Sequence, residues 1–145
     1  MQNPYSYPTS DLAEDAFYRS FQEGDLELMM SVWSQDVDVV CVHPGASRLL
    51  DGDSIRRSWE QVFSSDEKLE LRVTWKKVTR EKDVAIHNVV EAFYIDGELQ
   101  SEVIATNVYI KVKGSWYMIL HHASAEVYPI LKSLYDELKG QPQIH

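Results

Sequence analysis

The chain has 145 residues and a formal net charge of −9, from 23 acidic and 14 basic residues. This length suits one domain that needs no disulfide, and the acidic balance opposes contacts with nucleic-acid phosphates. No apolar run is long enough to span a membrane, and residues 1–6 lack a signal-peptide pattern. We therefore expect a single cytoplasmic domain over residues 1–145, with no nucleic-acid partner and no membrane partner.

Helical periodicity predicts two helices at the start of the chain. The first begins near Ser10 or Asp11, where Glu14 stands three residues after Asp11 as in a capping box, and Gly24 ends it. Asp25 caps a shorter second helix. The apolar stripe of this second helix consists of Leu26, Met29, Met30 and Trp33.

A strand and a third helix come next. Residues 37–42 form an apolar strand that ends at His43, and Pro44-Gly45 turns the chain into a short return strand at 47–50. The third helix begins at Asp53 or Ser54. Its buried side is set by Ile55, Trp59, Val62 and Phe63.

The second half of the chain has the period of β-strands. From Leu69 apolar and polar residues alternate, and a following strand at about 84–95 runs into Asp96-Gly97, a strong signal for a type I′ hairpin. Its partner spans about 99–112, and Lys113-Gly114 turns it into a last strand at about 115–124. A C-terminal helix is expected at about 128–139, with Pro129 in its first turn.

This order of elements predicts the α+β class. Three helices interrupted by one short strand pair, then four long strands, indicate helices packed on one face of a mainly antiparallel sheet. Long strands tend to curl, so we expect three helices on a concave side, a cavity beneath them, and the fourth helix at the C-terminal end.

Four segments carry a resemblance to a known family. They are the opening Tyr18–Trp33, the run Asp38–Gly45 with the letters DVVCVHPG, the run Gly52–Trp59 with the letters GDSIRRSW, and the close from Trp116 through His121-His122-Ala123-Ser124. In order and spacing these segments resemble the SnoaL-like branch of the nuclear transport factor two-like superfamily over about 11–124. The resemblance implies a cone-shaped α+β barrel with a cystatin-like fold, usually dimeric, with a cavity under its helices.

Known activities in this superfamily include steroid isomerases, polyketide cyclases, dehydratases and protein-association modules. The sequence offers no tyrosine and buried acid that match the oxyanion hole of the isomerases, which argues against steroid isomerisation. Fold alone therefore supplies only an analogy for function.

Polar residues at the ends of apolar strands are the candidate catalytic groups. Strand parity from Trp116 places His122 and Ser124 on one face, and we expect that face to line the cavity, with His122 as a general base or a ligand-orienting donor and Ser124 in ligand contact. The alternative is a core histidine satisfied by the backbone or by Ser124. His43 either lines the cavity mouth or caps a turn.

Two polar residues interrupt otherwise apolar strands. Glu91 lies among Val89, Val90 and Phe93, where a charged carboxylate is costly to bury. It is either an acid/base group with a raised pKa or a structural partner of a cation. Asn107 is either an amide donor to a ligand carbonyl or a cross-strand partner.

The remaining candidates are aromatic. Trp33, Trp59 and Trp75 either wall a ligand site or pack in the core. Cys41 has apolar neighbours and is expected to be an inert core thiol. The histidines lack metal-ligand spacing and the chain has no phosphate or dinucleotide motif, so we expect no metal and no cofactor.

Two functional hypotheses follow. In the first, the cavity binds a small apolar molecule that carries a polar oxygen, and His122, Glu91 or His43 moves a proton as in an isomerase, cyclase or dehydratase. In the second, the domain is a non-catalytic association module. Apolar residues on both faces of the strand at 84–95 also predict a homodimer through the outer sheet face.

Overall fold

The computed structural model describes residues 5–124 and 129–140. The elements follow the predicted order, except that the return strand expected at 47–50 is reduced to one bridge between Cys41 and Leu49. The helices are α1 (Ser10–Glu23), α2 (Leu26–Val32), α3 (Gly52–Phe63) and α4 (Pro129–Gly140), and the strands are β1 (Val40–Val42), β2 (Glu70–Arg80), β3 (Val84–Ile95), β4 (Glu98–Val112) and β5 (Ser115–Ser124).

Local side-chain chemistry fixes the ends of α1. Thr9 Oγ1 accepts a hydrogen bond from the Leu12 amide at 3.1 Å, so Thr9 caps the helix in place of the predicted Asp11. Gly24 ends the helix at φ 65, a conformation that residues with a Cβ rarely adopt. Glu14, which the sequence placed in a capping box, instead turns inward and is only 2% exposed.

The five strands form one open sheet in the order β1-β5-β4-β3-β2. β1 runs parallel to β5, and every other neighbouring pair is antiparallel. Asp96 and Gly97 both have positive φ, 50 and 81, as the predicted type I′ hairpin requires. The predicted α+β class with a mainly antiparallel sheet is confirmed.

A β-bulge in β5 reverses the direction of its side chains. Val108 of β4 pairs with Leu120, but the next residue, Tyr109, pairs with Met118, so Ile119 is an extra residue in the ladder. Strand faces alternate with a period of two, and one extra residue therefore turns every later residue to the opposite face.

A second bulge, in β2, has the same effect. The register shifts between Val73 and Trp75, which leaves Thr74 as the extra residue. Trp75 consequently lies on the outer face and is 53% exposed. Lys76 turns toward α1, where its Nζ lies 2.7 Å from Asp11 Oδ1.

The core lies between α1–α3 and the face of the sheet that these helices cover, which we call the inner face. Its largest fully buried members include Phe17, Met29, Ile55, Tyr109 and Met118. Within the described ranges no helix combines the length and apolar character needed to cross a bilayer.

Candidate functional site

A cavity of about 210 Å³ lies between α1, α3 and the inner face of the sheet. It is larger than the roughly 150 Å³ cavity that admits benzene, but smaller than the roughly 300 Å³ at which pockets for drug-sized ligands begin. Its volume therefore suits a single ring. The lining residues are Phe17, Tyr18, Phe21, His43, Pro44, Trp59, Val62, Leu69, Leu71, Glu91, Phe93 and His121.

Glu91 of β3 is the acidic group in this apolar wall. It is 3% exposed, and its Oε2 accepts a hydrogen bond from Tyr18 OH at 2.6 Å. Burial raises the pKa of Glu91 to about 7, the Tyr18 hydrogen bond offsets only part of this rise, and the nearby charge of Glu14 adds to it. The carboxyl group can therefore gain or lose a proton near neutral pH.

Asn107 of β4 holds the polar groups of the cavity in place. Its Nδ2 donates to Tyr18 OH at 2.9 Å and to Glu14 Oε2 at 3.1 Å, and its Oδ1 accepts from His121 Nδ1 at 2.6 Å. Both amide protons and the amide oxygen are thus engaged. Asn107 is fully buried and fixes Tyr18 and His121 relative to each other.

His121 of β5 presents a hydrogen-bond acceptor to the cavity. Because the Asn107 amide oxygen only accepts, Nδ1 of His121 carries the ring proton and Nε2 of the neutral ring has a lone pair. Burial, with the charge of His43 as a smaller cause, lowers the pKa of His121 to about 3. The ring centroid lies 4.9 Å from that of Phe17 and 6.1 Å from that of Trp59.

His43 lines the cavity at the end of β1, the strand that pairs with β5 beside His121. Ser58 Oγ donates to the Ile55 carbonyl at 2.7 Å, so His43 Nε2 donates to Ser58 Oγ at 3.0 Å. Its ring packs edge-on against Trp59 at 4.7 Å, and burial lowers its pKa. Both cavity histidines are therefore neutral at neutral pH.

A second buried carboxylate, Glu14, lies behind the cavity wall. Its Oε2 accepts hydrogen bonds from Tyr109 OH at 3.0 Å and from Asn107, and it lies 3.0 Å from His87 Nδ1. Its Oε1 lies 3.1 Å from Lys76 Nζ. Burial alone would raise the pKa of Glu14, but His87, Lys76 and Asn107 together outweigh it and lower the pKa.

Two further polar groups lie near the cavity, the thiol of Cys41 and the indole N–H of Trp59. Burial raises the pKa of the Cys41 thiol to about 12, so this cysteine stays protonated and unreactive. Trp59 Nε1 is a buried donor that has no acceptor among the residues the structure describes. In the same ranges no group of three or more His, Cys, Asp and Glu side chains is arranged to hold a metal ion.

Comparison with known proteins identifies the family. The profile of the SnoaL-like domain matches residues 13–128. The chain belongs to the SnoaL-like family. Its fold is that of the nuclear transport factor two-like superfamily, and matched structures of 13 and 14% identity with a cystatin-like fold support the fold alone.

Two solved structures are similar to this SnoaL-like protein over most of their length. One, from Thiobacillus denitrificans, is provisionally described as a calcium/calmodulin-dependent protein kinase type II association domain; it is 35% identical, has a TM-score of 0.79, and the match covers 85% of this chain and 99% of the other. The second, from Streptomyces avermitilis, is provisionally described as a dehydratase of the NTF2-like family. It is 29% identical, with a TM-score of 0.73 and coverage of 81% and 94%.

A curated relative is the F-box protein SKIP8 of Arabidopsis thaliana, which is 22% identical over 108 residues. The match covers 74% of this chain but 46% of SKIP8, so the SnoaL-like chain spans about half the length of that relative.

The structure brings three of the predicted site residues together. Glu91, His43 and Trp59 all line the cavity. Asn107 does not line it, because Glu14, Tyr18 and His121 occupy its amide group. Of its two predicted roles the structure shows the cross-strand partner, since Asn107 lies opposite His121 in the β4–β5 ladder.

Three predicted placements are wrong. His122 and Ser124 are exposed on the outer face, because the extra residue Ile119 reverses strand parity after Met118. Trp75 is turned outward by the bulge in β2. Trp33, in contrast, is 2% exposed and packs in the hydrophobic core, which is one of its two predicted roles; it also borders a surface depression next to the start of α3.

Three residues of this site were not predicted from the sequence, namely His121 of β5 and Glu14 and Tyr18 of α1. Glu14, Tyr18 and Phe21 follow one another at spacings of four and three, which places them on one helix face. That spacing marks one face of α1, but it does not show which sheet residues this face meets. That His121 and not His122 faces the cavity could not be predicted, because nothing in the sequence around Ile119 indicates a β-bulge.

Proposed function

We propose that the cavity binds a small, neutral, largely apolar molecule that carries a hydroxyl and a carbonyl oxygen, and that Glu91 moves a proton on it. The observation that carries this proposal is a carboxyl group with a pKa of about 7 in an aromatic cavity of about 210 Å³. An acid/base group is most effective when its pKa is close to the working pH.

In this proposal the side chains around Glu91 have supporting roles. Tyr18, whose pKa is raised well above its usual value by burial and by Glu91, keeps its proton and orients the carboxyl group. His121 Nε2 accepts a hydrogen bond from the ligand hydroxyl. His43 and Trp59, whose rings pack edge-on at 4.7 Å, complete the aromatic part of the wall.

A dehydration fits these groups with a complete proton balance. The Glu91 carboxylate removes a proton from the carbon between the carbonyl and the hydroxyl-bearing carbon. The C–O bond to the hydroxyl then breaks as the C=C bond forms. Protonated Glu91 returns the proton to the leaving oxygen, so that water departs and the carboxylate is regenerated. The similarity to a Streptomyces protein described as a dehydratase supports this reaction class.

The test uses 3-hydroxycyclohexanone, a single-ring compound whose dehydration produces an ultraviolet-absorbing enone. We expect the wild-type protein to accelerate enone formation, with a rate that rises as Glu91 deprotonates through about pH 7. Glu91→Gln should lower the rate at least about 100-fold and leave binding measurable. Glu98→Gln, an exposed acid on β4, is the matched control and should keep the wild-type rate.

Equal rates in wild type and Glu91→Gln would contradict the proton-transfer role. Binding without turnover in the wild type would reduce the function to ligand binding. If the wild-type protein neither binds nor dehydrates the compound, the small-molecule hypothesis is contradicted.

A second function, association through the outer sheet face, is favoured by a separate observation. Ile104 is 62% exposed and Trp75 is 53% exposed, and Val84 and Ile86 on the neighbouring strand are 40% and 37% exposed. Apolar side chains grouped on one face are typical of an interface. The similarity to a Thiobacillus protein described as an association domain supports the same proposal.

We expect a homodimer, with a mass near twice 16.8 kDa in light scattering at micromolar concentration. Ile104→Lys should yield the monomer, because it places a charge in the middle of the face. Leu50→Lys is the matched control, since Leu50 is 59% exposed but lies in the depression beside α3. A monomeric wild type, or a dimer that survives Ile104→Lys, would contradict this interface.

A further inference from the structure

A second concavity on the surface adjoins the cavity. A groove of about 560 Å³ lies where α1 and α3 end and β2 begins. Phe21, Val62 and Leu69 line both the cavity and the groove. These three apolar side chains are therefore the partition between the two spaces.

The groove has an apolar floor and a charged rim. Phe63 extends the floor beyond the partition, and Glu67 and Lys68 are exposed at the rim. Gln22 fixes one side of the groove, because its Nε2 donates to the Leu69 carbonyl at 3.1 Å and its Oε1 accepts from the Leu71 amide at 2.9 Å. These hydrogen bonds join the last turn of α1 to the start of β2 along one side of the groove.

We propose that the groove binds the alkyl extension of the same molecule whose oxygen-bearing ring occupies the cavity, so that the ligand class is a single-ring hydroxyketone with a linear chain of several carbons. This inference rests on the proposed function of the cavity. The cavity has room for one ring, and the groove adjoins it across apolar side chains alone. A linear chain is the narrowest apolar group, so its passage displaces Phe21, Val62 and Leu69 least.

The test is a binding series with one head group. The dissociation constants of p-cresol, 4-propylphenol and 4-hexylphenol are measured by titration, with the phenol hydroxyl able to donate to His121 Nε2 in each case. A fully buried methylene group strengthens binding about fourfold, and one buried on one side only about twofold. We expect 4-hexylphenol to bind at least about 30-fold more tightly than p-cresol.

A variant that fills the groove separates it from the cavity. Ser65 lines the groove but not the cavity and is exposed, so Ser65→Trp should occupy the groove without unfolding the protein. We expect this variant to bind p-cresol as the wild type does and to lose most of the chain-length dependence. Ser6→Trp is the matched control, since Ser6 is exposed beyond the opposite end of α1.

The outcomes distinguish this inference from the proposed function. If p-cresol binds and the longer phenols bind no more tightly, the groove assignment is overturned and the cavity assignment stands. If Ser65→Trp keeps the full chain-length dependence, the groove assignment is likewise overturned. If no member of the series binds, both are overturned.

Discussion

Glu14 and Glu91 are equally buried carboxyl groups on the same side of the sheet, and their pKa values move in opposite directions. Glu14 is 2% exposed and Glu91 is 3% exposed. Glu14 is surrounded by Tyr109, Asn107, Lys76 and His87, and its pKa is lowered. Within the part of the chain that the structure describes, Glu91 accepts one hydrogen bond, from Tyr18, and its pKa rises to about 7. The neighbouring groups, more than the extent of burial, therefore decide whether a buried acid is charged.

The two carboxyl groups also face different surroundings. Glu14 lies among protein donors that fix it in its charged form, so it contributes to the fold. Glu91 lines a cavity, and its carboxyl group can accept further hydrogen bonds besides the one from Tyr18. The same Asn107 amide stands between them, because it donates to Glu14 and to the Tyr18 hydroxyl that holds Glu91.

The largest expected effect is the loss of stability when Glu14 loses its charge. Glu14→Gln removes the buried carboxylate that Lys76, Asn107 and Tyr109 contact, and it should lower the free energy of unfolding by about 3 kcal/mol at about pH 7.5. Urea denaturation at one protein concentration measures this. Glu91→Gln is the matched control and should not destabilise the protein. A loss below about 1 kcal/mol in Glu14→Gln would show that its partners do not need the charge.

The second prediction concerns pH, and it has opposite signs for the two acids. The Glu91 pKa is raised from 4.5 to about 7, so between these values the folded protein keeps a proton that the unfolded chain releases. Its contribution to stability therefore falls as pH rises through this window, by about 3 kcal/mol in total. The unfolding free energy of Glu91→Gln minus that of wild type should rise by this amount between about pH 4.5 and about pH 7.5, and then stay constant.

For Glu14 the folded pKa lies below 4.5, so its contribution is present above pH 4.5 and is lost as pH falls further. The deficit of Glu14→Gln should therefore shrink in acid. His121, lowered from 6.5 to about 3, makes the wild type less stable as pH falls from 6.5 toward 3 and masks the trend from Glu91. Differences between variant and wild type avoid this masking. A flat difference for Glu91→Gln would contradict a raised pKa.

The third prediction compares His121 with the exposed histidine beside it. His121→Ala removes a 2.6 Å hydrogen bond to Asn107 and a ring packed on Phe17 and Trp59, so it should cost about 2 to 3 kcal/mol. It should also weaken p-cresol binding about tenfold, through the loss of the Nε2 acceptor. Denaturation and titration of the same samples measure both. Unchanged p-cresol affinity would remove His121 from the site.

The α+β class, the element order and both hairpin turns could be predicted from the sequence, because each depends on local signals. Asp96-Gly97 and Lys113-Gly114 adopt the positive φ values that such turns require. Glu91 could also be recognised, since an acid among β-branched residues needs an explanation wherever the chain folds. Each of these features depends on a few residues that are neighbours in the sequence.

The errors all involve information that is not local. Ile119 and Thr74 become extra residues only through the register of β5 on β4 and of β2 on β3. Whether Glu14 caps a helix or enters a buried network depends on Asn107 and Tyr109, more than ninety positions later. The pKa difference between Glu14 and Glu91 follows from such distant partners, and so it could not be predicted from the sequence.

The smallest expected effect belongs to His122, the residue that strand parity selected. His122 is exposed on the outer face, opposite Thr106 of β4 and Val42 of β1. His122→Ala should change the free energy of unfolding by less than about 0.5 kcal/mol, as is usual for surface substitutions. It should leave p-cresol affinity unchanged. Both measurements are best made in an Ile104→Lys background, which removes any subunit contact on this face. A tenfold loss of p-cresol affinity in His122→Ala would mean that β5 lacks the bulge at Ile119 in solution, and that His122 faces the cavity in place of His121.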